Sequence, residues 1–264
     1  MLLAVDVGNS HTTFGLFADA ELRCELRLST RHGWTRDEVA IALRQGLQLA
    51  GFSLGEVDDA VIACVVPPAL APLREALVRY GGFDPLVVGP GVRTGMPIRY
   101  DPPQDVGADR IVTAVAAHER HGIVAGGSEK RGVVVVDFGT ATTFDVVSPA
   151  PEYLGGAIAP GIGISADALF ARAAKLPRVE PTKPDRVIGR NTVGAIQSGL
   201  VNGYLGLVEG LIARIQAEVD FATRVVATGG FASVIASQTR AIDVVDDALV
   251  LEGLRIIHAR NRGK

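Results

Sequence analysis

Apolar residues open the chain in a short run, Leu2 to Val5, and return from Phe14 to Phe17 after a polar turn. The pattern predicts strand, tight turn, strand. From Glu21 to Leu28 apolar and polar residues alternate through Leu22, Cys24, Leu26 and Leu28, which predicts a half-buried third strand. Thr35 followed by Glu38 forms a capping box and starts a helix with Val39, Leu43, Leu47 and Leu49 or Ala50 inward, ending near Gly51. Ala60 to Val66 is a continuous apolar run, a buried strand closed by Pro67-Pro68. A helix over Ala69 to Tyr80 and a short strand over Pro85 to Val88 follow. Pro90 to Pro103 is too rich in Pro and Gly to be regular, and it leads to a helix over 108–121. The Gly-rich stretch Gly122 to Gly132, with Glu129, Lys130 and Arg131 as solvated surface charges, joins this half to the next.

The second half repeats the order. Strands are expected over 133–137, 143–148 and 153–158, and Gly161-Ile162-Gly163 leads into a helix through Ala174. Pro177 to Arg186 is irregular, and a long helix runs from Ala195 to about Ala217. Its glycines Gly199, Gly203, Gly206 and Gly210 weaken helix propensity but admit close approach of another helix, in this chain or another. A strand over Arg224 to Ala227, a strand over Ala241 to Val245 and a helix over Ala248 to Ala259 close the chain. The expected division is 1–121 and 122–264, each half an α/β unit on a mixed sheet.

At 264 residues the chain suffices for one large domain or two modest ones. A net charge of −3 gives no general attraction to nucleic acid or anionic membrane, so neither is expected as a partner. Cys24 and Cys64 are the only cysteines, and the five histidines form no spaced pair; this fits a reducing compartment and offers no metal framework. Asp6 breaks the first apolar run before a signal sequence could form, and no run approaches a membrane span. A soluble cytoplasmic protein is expected.

The candidate chemistry begins at Asp6-Val7-Gly8-Asn9-Ser10-His11-Thr12-Thr13. A glycine turn with free N–H groups and short polar side chains can cradle phosphate. Asp6, at a strand end, can reach a phosphate-bound Mg²⁺ directly or through water. An ordinary hairpin turn reads the same way. The stretch recurs, however, as Asp137-Phe138-Gly139-Thr140-Ala141-Thr142-Thr143, offset by 131 residues and again after an apolar run. Asp137 matches Asp6, Gly139 matches Gly8 and Thr140 matches Asn9, so two related halves each offer a phosphate hairpin to one cleft. Gly107-Ala108-Asp109-Arg110 starts a helix; Asp109 either favours the helix dipole or accepts a proton from an attacking hydroxyl, with Arg110 holding a substrate carboxylate. Thr192, after Gly189-Arg190-Asn191, reads as an N-cap or as a ligand contact. Thr228-Gly229-Gly230 reads as a turn or as backbone lying close to a nucleotide.

Strand triplets followed by alternating helices and strands, twice over, resemble the actin-like ATPase superfamily that includes sugar kinases and heat-shock ATPases. In that ribonuclease H-like fold two βββαβαβα halves clamp a nucleotide between their opening hairpins. The ordered set of motifs, with Gly155-Gly156-x-Ile158-x-Pro160-Gly161 added, resembles the type III pantothenate kinases and spans nearly the whole chain. The resemblance implies ATP-dependent phosphorylation of the primary hydroxyl of pantothenate, the first step toward coenzyme A. It implies that Asp6, Val7, Gly8, Asn9, Ser10, His11, Thr12, Thr13 and Thr140 bind ATP and that Asp109 is the proton acceptor. Tyr100, Gly107, Ala108, Asp109, Arg110 and Thr192 would contact pantothenate, Thr192 from across a homodimer interface. Asp137 would bind K⁺ or NH₄⁺, and Mg²⁺ would accompany ATP. No catalytic role is assigned to His11. The rivals are a non-catalytic regulatory relative and another enzyme of this fold, a sugar kinase or an exopolyphosphatase. The short chain and the Gly-Ala-Asp-Arg stretch disfavour the other enzymes, and the retained Asp6, Asp109, Arg110 and Asp137 disfavour the regulatory relative.

Overall fold

The computed structural model describes residues 1–123, 130–173 and 176–262. The Gly122 to Gly132 join and the end of the helix expected through Ala174 lie partly outside them. The chain forms two compact units: Met1–Ala116 together with the chain from Ala248 onward, and Ala117–Asp247.

In the first unit the order is β1 (Leu2–Val7), β2 (His11–Ala18), β3 (Glu21–Ser29), α1 (Arg36–Leu49), β4 (Asp59–Cys64), α2 (Pro67–Ala76), β5 (Leu86–Val87) and the start of α3 (Ala108–His121). The sheet runs β3-β2-β1-β4-β5, antiparallel between β1 and β2 and parallel between β1 and β4. The central strand is covered on both faces: Leu3, Ala4 and Val5 are wholly buried. Leu43, Leu47, Leu73 and Leu77 from the helical segments complete one core face. The capping box forms, Thr35 N donating to Glu38 at 2.8 Å and Glu38 N to Thr35 Oγ1 at 3.3 Å. The helix expected to Tyr80 instead ends as α-helix at Ala76 and continues as a π-helical turn, Leu77–Gly81, before Gly82 at φ +81°.

The second unit continues with β6 (Gly132–Phe138), β7 (Ala141–Val147), β8 (Tyr153–Pro160), α4 (Ile162–Arg172), α5 (Thr192–Glu218), β9 (Thr223–Thr228), α6 (Ala232–Ala236) and β10 (Val244–Val245). Its sheet order, β10-β9-β6-β7-β8, is the topology of the first sheet repeated with new strands. Here too the central strand is closed on both faces, with Val133 to Val136 wholly buried. Among the described residues no helix is long and apolar enough to cross a membrane.

The last helix, α7 (Leu249–Arg262), was expected with the second half but belongs to the first unit. Its apolar stripe, Leu249, Leu251, Leu254 and Ile257, is buried there. Leu251 fills the space that Gly15 of β2 leaves open, and Gly253 lies against the backbone of Val112 in α3. Polar contacts fasten its far end: His258 Nε2 lies 2.9 Å from Asp59, and Arg262 donates to both Asp59 oxygens at 2.6 and 2.7 Å. Burial works against the Asp59 charge, but these donors together hold its carboxyl below the usual range. The boundary therefore falls inside α3 and before α7, not at 121/122.

A β-carbon at Gly253 would stand 2.7 Å from the Val112 carbonyl carbon. Gly253→Ala should therefore cost about 1–3 kcal/mol through overpacking, measured by urea unfolding, despite alanine's better helix propensity.

Candidate active site

In the first unit β1 delivers Asp6 to the carboxyl end of the sheet, where the chain turns through Gly8, Asn9 and Ser10. Gly8 N donates to His11 O at 3.0 Å and closes the turn. Val7 is buried in the core, so it can contribute to a ligand only through its backbone, and its carbonyl already accepts from Val65 N at 3.0 Å. Asn9, Ser10 and His11 are exposed, while Asp6, Gly8, Thr12 and Thr13 are half-buried. The Oδ1 atom of Asp6 is shielded from solvent. Across the sheet Arg27 of β3 stands opposite Thr13, and its guanidinium lies 3.3 Å from His11 Nδ1. A guanidinium only donates, so in that contact His11 Nδ1 is the acceptor. Arg27 thus brings a fixed positive charge beside the turn; the alternation of β3 carried no sign of that, because register alone places it there.

The Gly107-Ala108-Asp109-Arg110 stretch forms the head of α3, with all four residues half-buried. Asp109 Oδ1 accepts from the backbone N–H of Arg110 at 2.8 Å, and Thr113 Oγ1 donates to the Asp109 carbonyl at 2.8 Å. Burial pushes the Asp109 carboxyl above its usual range, against the opposing pull of that N–H and of the Arg110 charge. A β-carbon on Gly107 would stand 2.5 Å from Asp109 Oδ1 and 3.7 Å from Val65 Cγ1. Val65 is the residue bonded to Val7, so the head of α3 adjoins the root of the hairpin within one unit. Tyr100 is half-buried in the preceding irregular segment.

The second unit repeats the first feature. Asp137 lies one residue before the end of β6, paired with Thr143 of β7 and Thr228 of β9, and Gly139 N donates to Ala141 O at 3.1 Å. Thr140 is exposed at the turn and Asp137 is half-buried. Gly229, at φ +91°, crosses so closely that a β-carbon would stand 2.5 Å from Asp137 Oδ1. The Thr228-Gly229-Gly230 stretch is therefore a required close approach. Beneath the turn the buried Thr142 hydroxyl meets the phenol of Tyr204 from α5. Burial, with Asp137 adding to it, pushes the Tyr204 phenol up. Sequence reasoning missed Tyr204; its helix register was legible, but its partner across 62 residues was not.

Thr192 is not the N-cap. Asn191 takes that position, its Oδ1 accepting from Gly194 N at 2.7 Å, and Thr192 is the exposed first residue of α5. Twelve residues of helix, about 18 Å at 1.5 Å per residue, separate Thr192 from Tyr204 beneath the hairpin of its own unit. Thr192 instead lines an open groove of about 790 Å³ with Ser165 and Leu169 of α4 and Gly199 of α5.

Among the described residues no group of three or more His, Cys, Asp or Glu could hold a metal ion by itself. At each turn by itself a carboxylate, Asp6 in the first unit and Asp137 in the second, has the oxygen chemistry that suits a hard cation completed by water or ligand oxygens.

Two sheets of one topology, each ending its central strand in Asp and a glycine turn, define an α/β protein of the actin-like ATPase and sugar-kinase fold. The solved structures agree on that fold. A conserved protein from Campylobacter jejuni, assigned to the Baf family of transcriptional activators, matches with TM-score 0.59 at 20% identity over 98% of each chain. An inorganic polyphosphate/ATP-glucomannokinase from Arthrobacter sp. strain KM matches with TM-score 0.51 at 13% identity, over 98% of this chain and 97% of that one. The sequence profile described as type III pantothenate kinase matches residues 2–214. A type III pantothenate kinase from Anaeromyxobacter sp. (strain K) is 55% identical over 262 residues, 99% of this chain and all of that one. The chain belongs to the type III pantothenate kinase family.

Tyr204→Phe leaves the buried Thr142 hydroxyl without its partner and should cost about 1–3 kcal/mol. Tyr204→Phe with Thr142→Val should recover part of that loss, read as a coupling energy in a denaturation double-mutant cycle.

Proposed function

We propose that this chain, acting in the cytoplasm, transfers the γ-phosphoryl group of ATP to the primary hydroxyl of pantothenate, the first step of coenzyme A synthesis. The observation that carries the reading is Asp109, whose carboxyl is raised by burial and whose neighbour Gly107 adjoins the residue bonded to the phosphate hairpin. The pantothenate hydroxyl gives its proton to the Asp109 carboxylate as its oxygen bonds to the γ-phosphorus, and the bond from that phosphorus to the β,γ-bridging oxygen breaks to release ADP. A carboxyl raised above the usual range is the stronger base for that proton. Arg110 pairs with the pantothenate carboxylate, while Tyr100, Gly107 and Ala108 wall the substrate. Residues 6–13 and Thr140 hold the phosphates, largely through turn N–H groups. Asp6 would hold Mg²⁺ directly or through water, and the ion would supply neutralisation of the developing phosphate charge. Asp137 takes the monovalent cation, K⁺ or NH₄⁺.

The acceptor site is completed by a second copy of the chain. Thr192 is exposed in the α4–α5 groove, and Leu169, Phe170, Val187, Ile188 and Val193 are exposed apolar residues of the same region. Among the described residues nothing lies within 4 Å of a β-carbon at Gly199, Gly203 or Gly206, so contact within the chain does not account for this glycine face. A homodimer packed on it would account for both features. Gly203→Leu should shift the sedimenting species from dimer to monomer with unchanged helical circular dichroism.

Asp109→Asn should lower kcat for pantothenate phosphorylation by about 10²–10⁴-fold. It should leave the melting temperature at pH 8 equal to or above that of wild type. The sign follows from the raised carboxyl: the folded state holds its proton more tightly than the unfolded one, so ionisation at high pH favours unfolding. For the same reason kcat/KM should rise as pH passes through a value above the ordinary carboxylate range. Gly107→Ala, which displaces Asp109 Oδ1, should lower kcat by about tenfold or more. If folded, ATP-binding wild type makes no phosphopantothenate with either K⁺ or NH₄⁺, the kinase reading is wrong and the regulatory relative becomes the account.

A further inference from the structure

Thr30 lies one residue beyond β3, outside every motif, yet it holds the first phosphate turn at three points. Its backbone N–H donates to Ser10 O at 3.0 Å. Its hydroxyl donates to Gly8 O at 2.6 Å and lies 2.9 Å from the hydroxyl of Thr12. A threonine hydroxyl has one proton. Since Thr30 spends it on the Gly8 carbonyl, the Thr12 hydroxyl must be the donor to Thr30. Thr12 then presents lone pairs, not a proton, toward any ligand at the turn.

The second unit shows that this latch is not a general need of the hairpin. There the turn is one residue shorter, Ala141 pairs with Pro160 as His11 pairs with Ser29, and Thr140 takes the place of Ser10 rather than of Asn9. The residue after the third strand is Gly161, whose N–H donates to Thr140 O at 3.2 Å, the same backbone latch without a side chain. A β-carbon at Gly161 would stand 2.7 Å from Gly139 O and 2.9 Å from the Thr140 carbonyl carbon, so no threonine fits. The two turns share a backbone bond and differ in the added hydroxyl.

We propose that Thr30 is a positioning residue for nucleotide phosphate binding: it fixes the Gly8–Ser10 turn and orients the Thr12 hydroxyl as an acceptor. Turn N–H groups bind phosphate only if they converge. Two carbonyls of the turn, those of Gly8 and Ser10, are tied back by Thr30, and because C=O and N–H of a trans peptide point in opposite directions, the N–H groups of Asn9 and His11 face away from Thr30. Thr12, with its proton committed, suits metal-bound water more than a phosphate oxygen.

The inference rests on the first hairpin binding ATP phosphates, so binding and turnover are to be measured separately. Thr30→Val keeps the shape and the backbone bond but loses both hydroxyl bonds, and Thr30→Ser keeps the hydroxyl. Calorimetric Kd for Mg·ATP should weaken about tenfold in Thr30→Val and return to within about twofold of wild type in Thr30→Ser, in line with the usual worth of one or two hydrogen bonds. In the pantothenate assay the KM for ATP should rise in parallel, with the KM for pantothenate unchanged. Wild-type Mg·ATP affinity in Thr30→Val, or equal loss in both variants, would overturn the inference and leave the kinase reading standing. Weakened nucleotide binding in a protein that never phosphorylates pantothenate would do the reverse. A wild-type chain that binds no Mg·ATP would end both.

Discussion

Everything at the site depends on the burial of two central strands. β1 and β6 each lie between an antiparallel and a parallel neighbour, with their apolar residues closed off on both faces. A strand in that position has no polar face to offer along its length. Its chemistry can emerge only at its end, and there each chain segment places an Asp followed by a glycine turn. The same constraint acts twice because the same topology is built twice.

What surrounds each turn differs, and the differences follow from local crowding. In the first unit a threonine hydroxyl ties the turn back from β3. In the second the corresponding residue must be Gly161, and support comes from below, where Tyr204 of α5 reaches Thr142. The long helix that supplies Tyr204 also begins with Thr192, so one rigid element carries a support for the second glycine turn and a candidate substrate contact. The head of α3 is set by contact as well: Gly107 leaves room for the Asp109 carboxyl, and Val65 links it to the root of the hairpin.

Much of the fold was legible because it is written in local periods. Apolar runs, the Thr35–Glu38 box and the recurrence of the Asp-x-Gly turn each reside within a few consecutive residues. The features that were missed depend on register and long-range contact. Thr30, Arg27 and Tyr204 gain their roles from partners on other elements, and nothing in their own neighbourhoods marks them. Asn191 displaced Thr192 as N-cap because both are good caps and only the chain path decides between them. The assignment of α7 failed for a similar reason: its stripe of Leu249, Leu251, Leu254 and Ile257 says that it is buried, not against which sheet.

The central claim is that Asp109 receives the proton of the pantothenate hydroxyl. A crystal structure with pantothenate and a non-hydrolysable Mg·ATP analogue tests it directly. The account predicts the primary hydroxyl oxygen within about 2.6–3.2 Å of the Asp109 carboxylate, with the γ-phosphate on its far side. A bound pantothenate whose hydroxyl faces another group, with the Asp109 carboxylate still held by the Arg110 N–H as it is here, would contradict it.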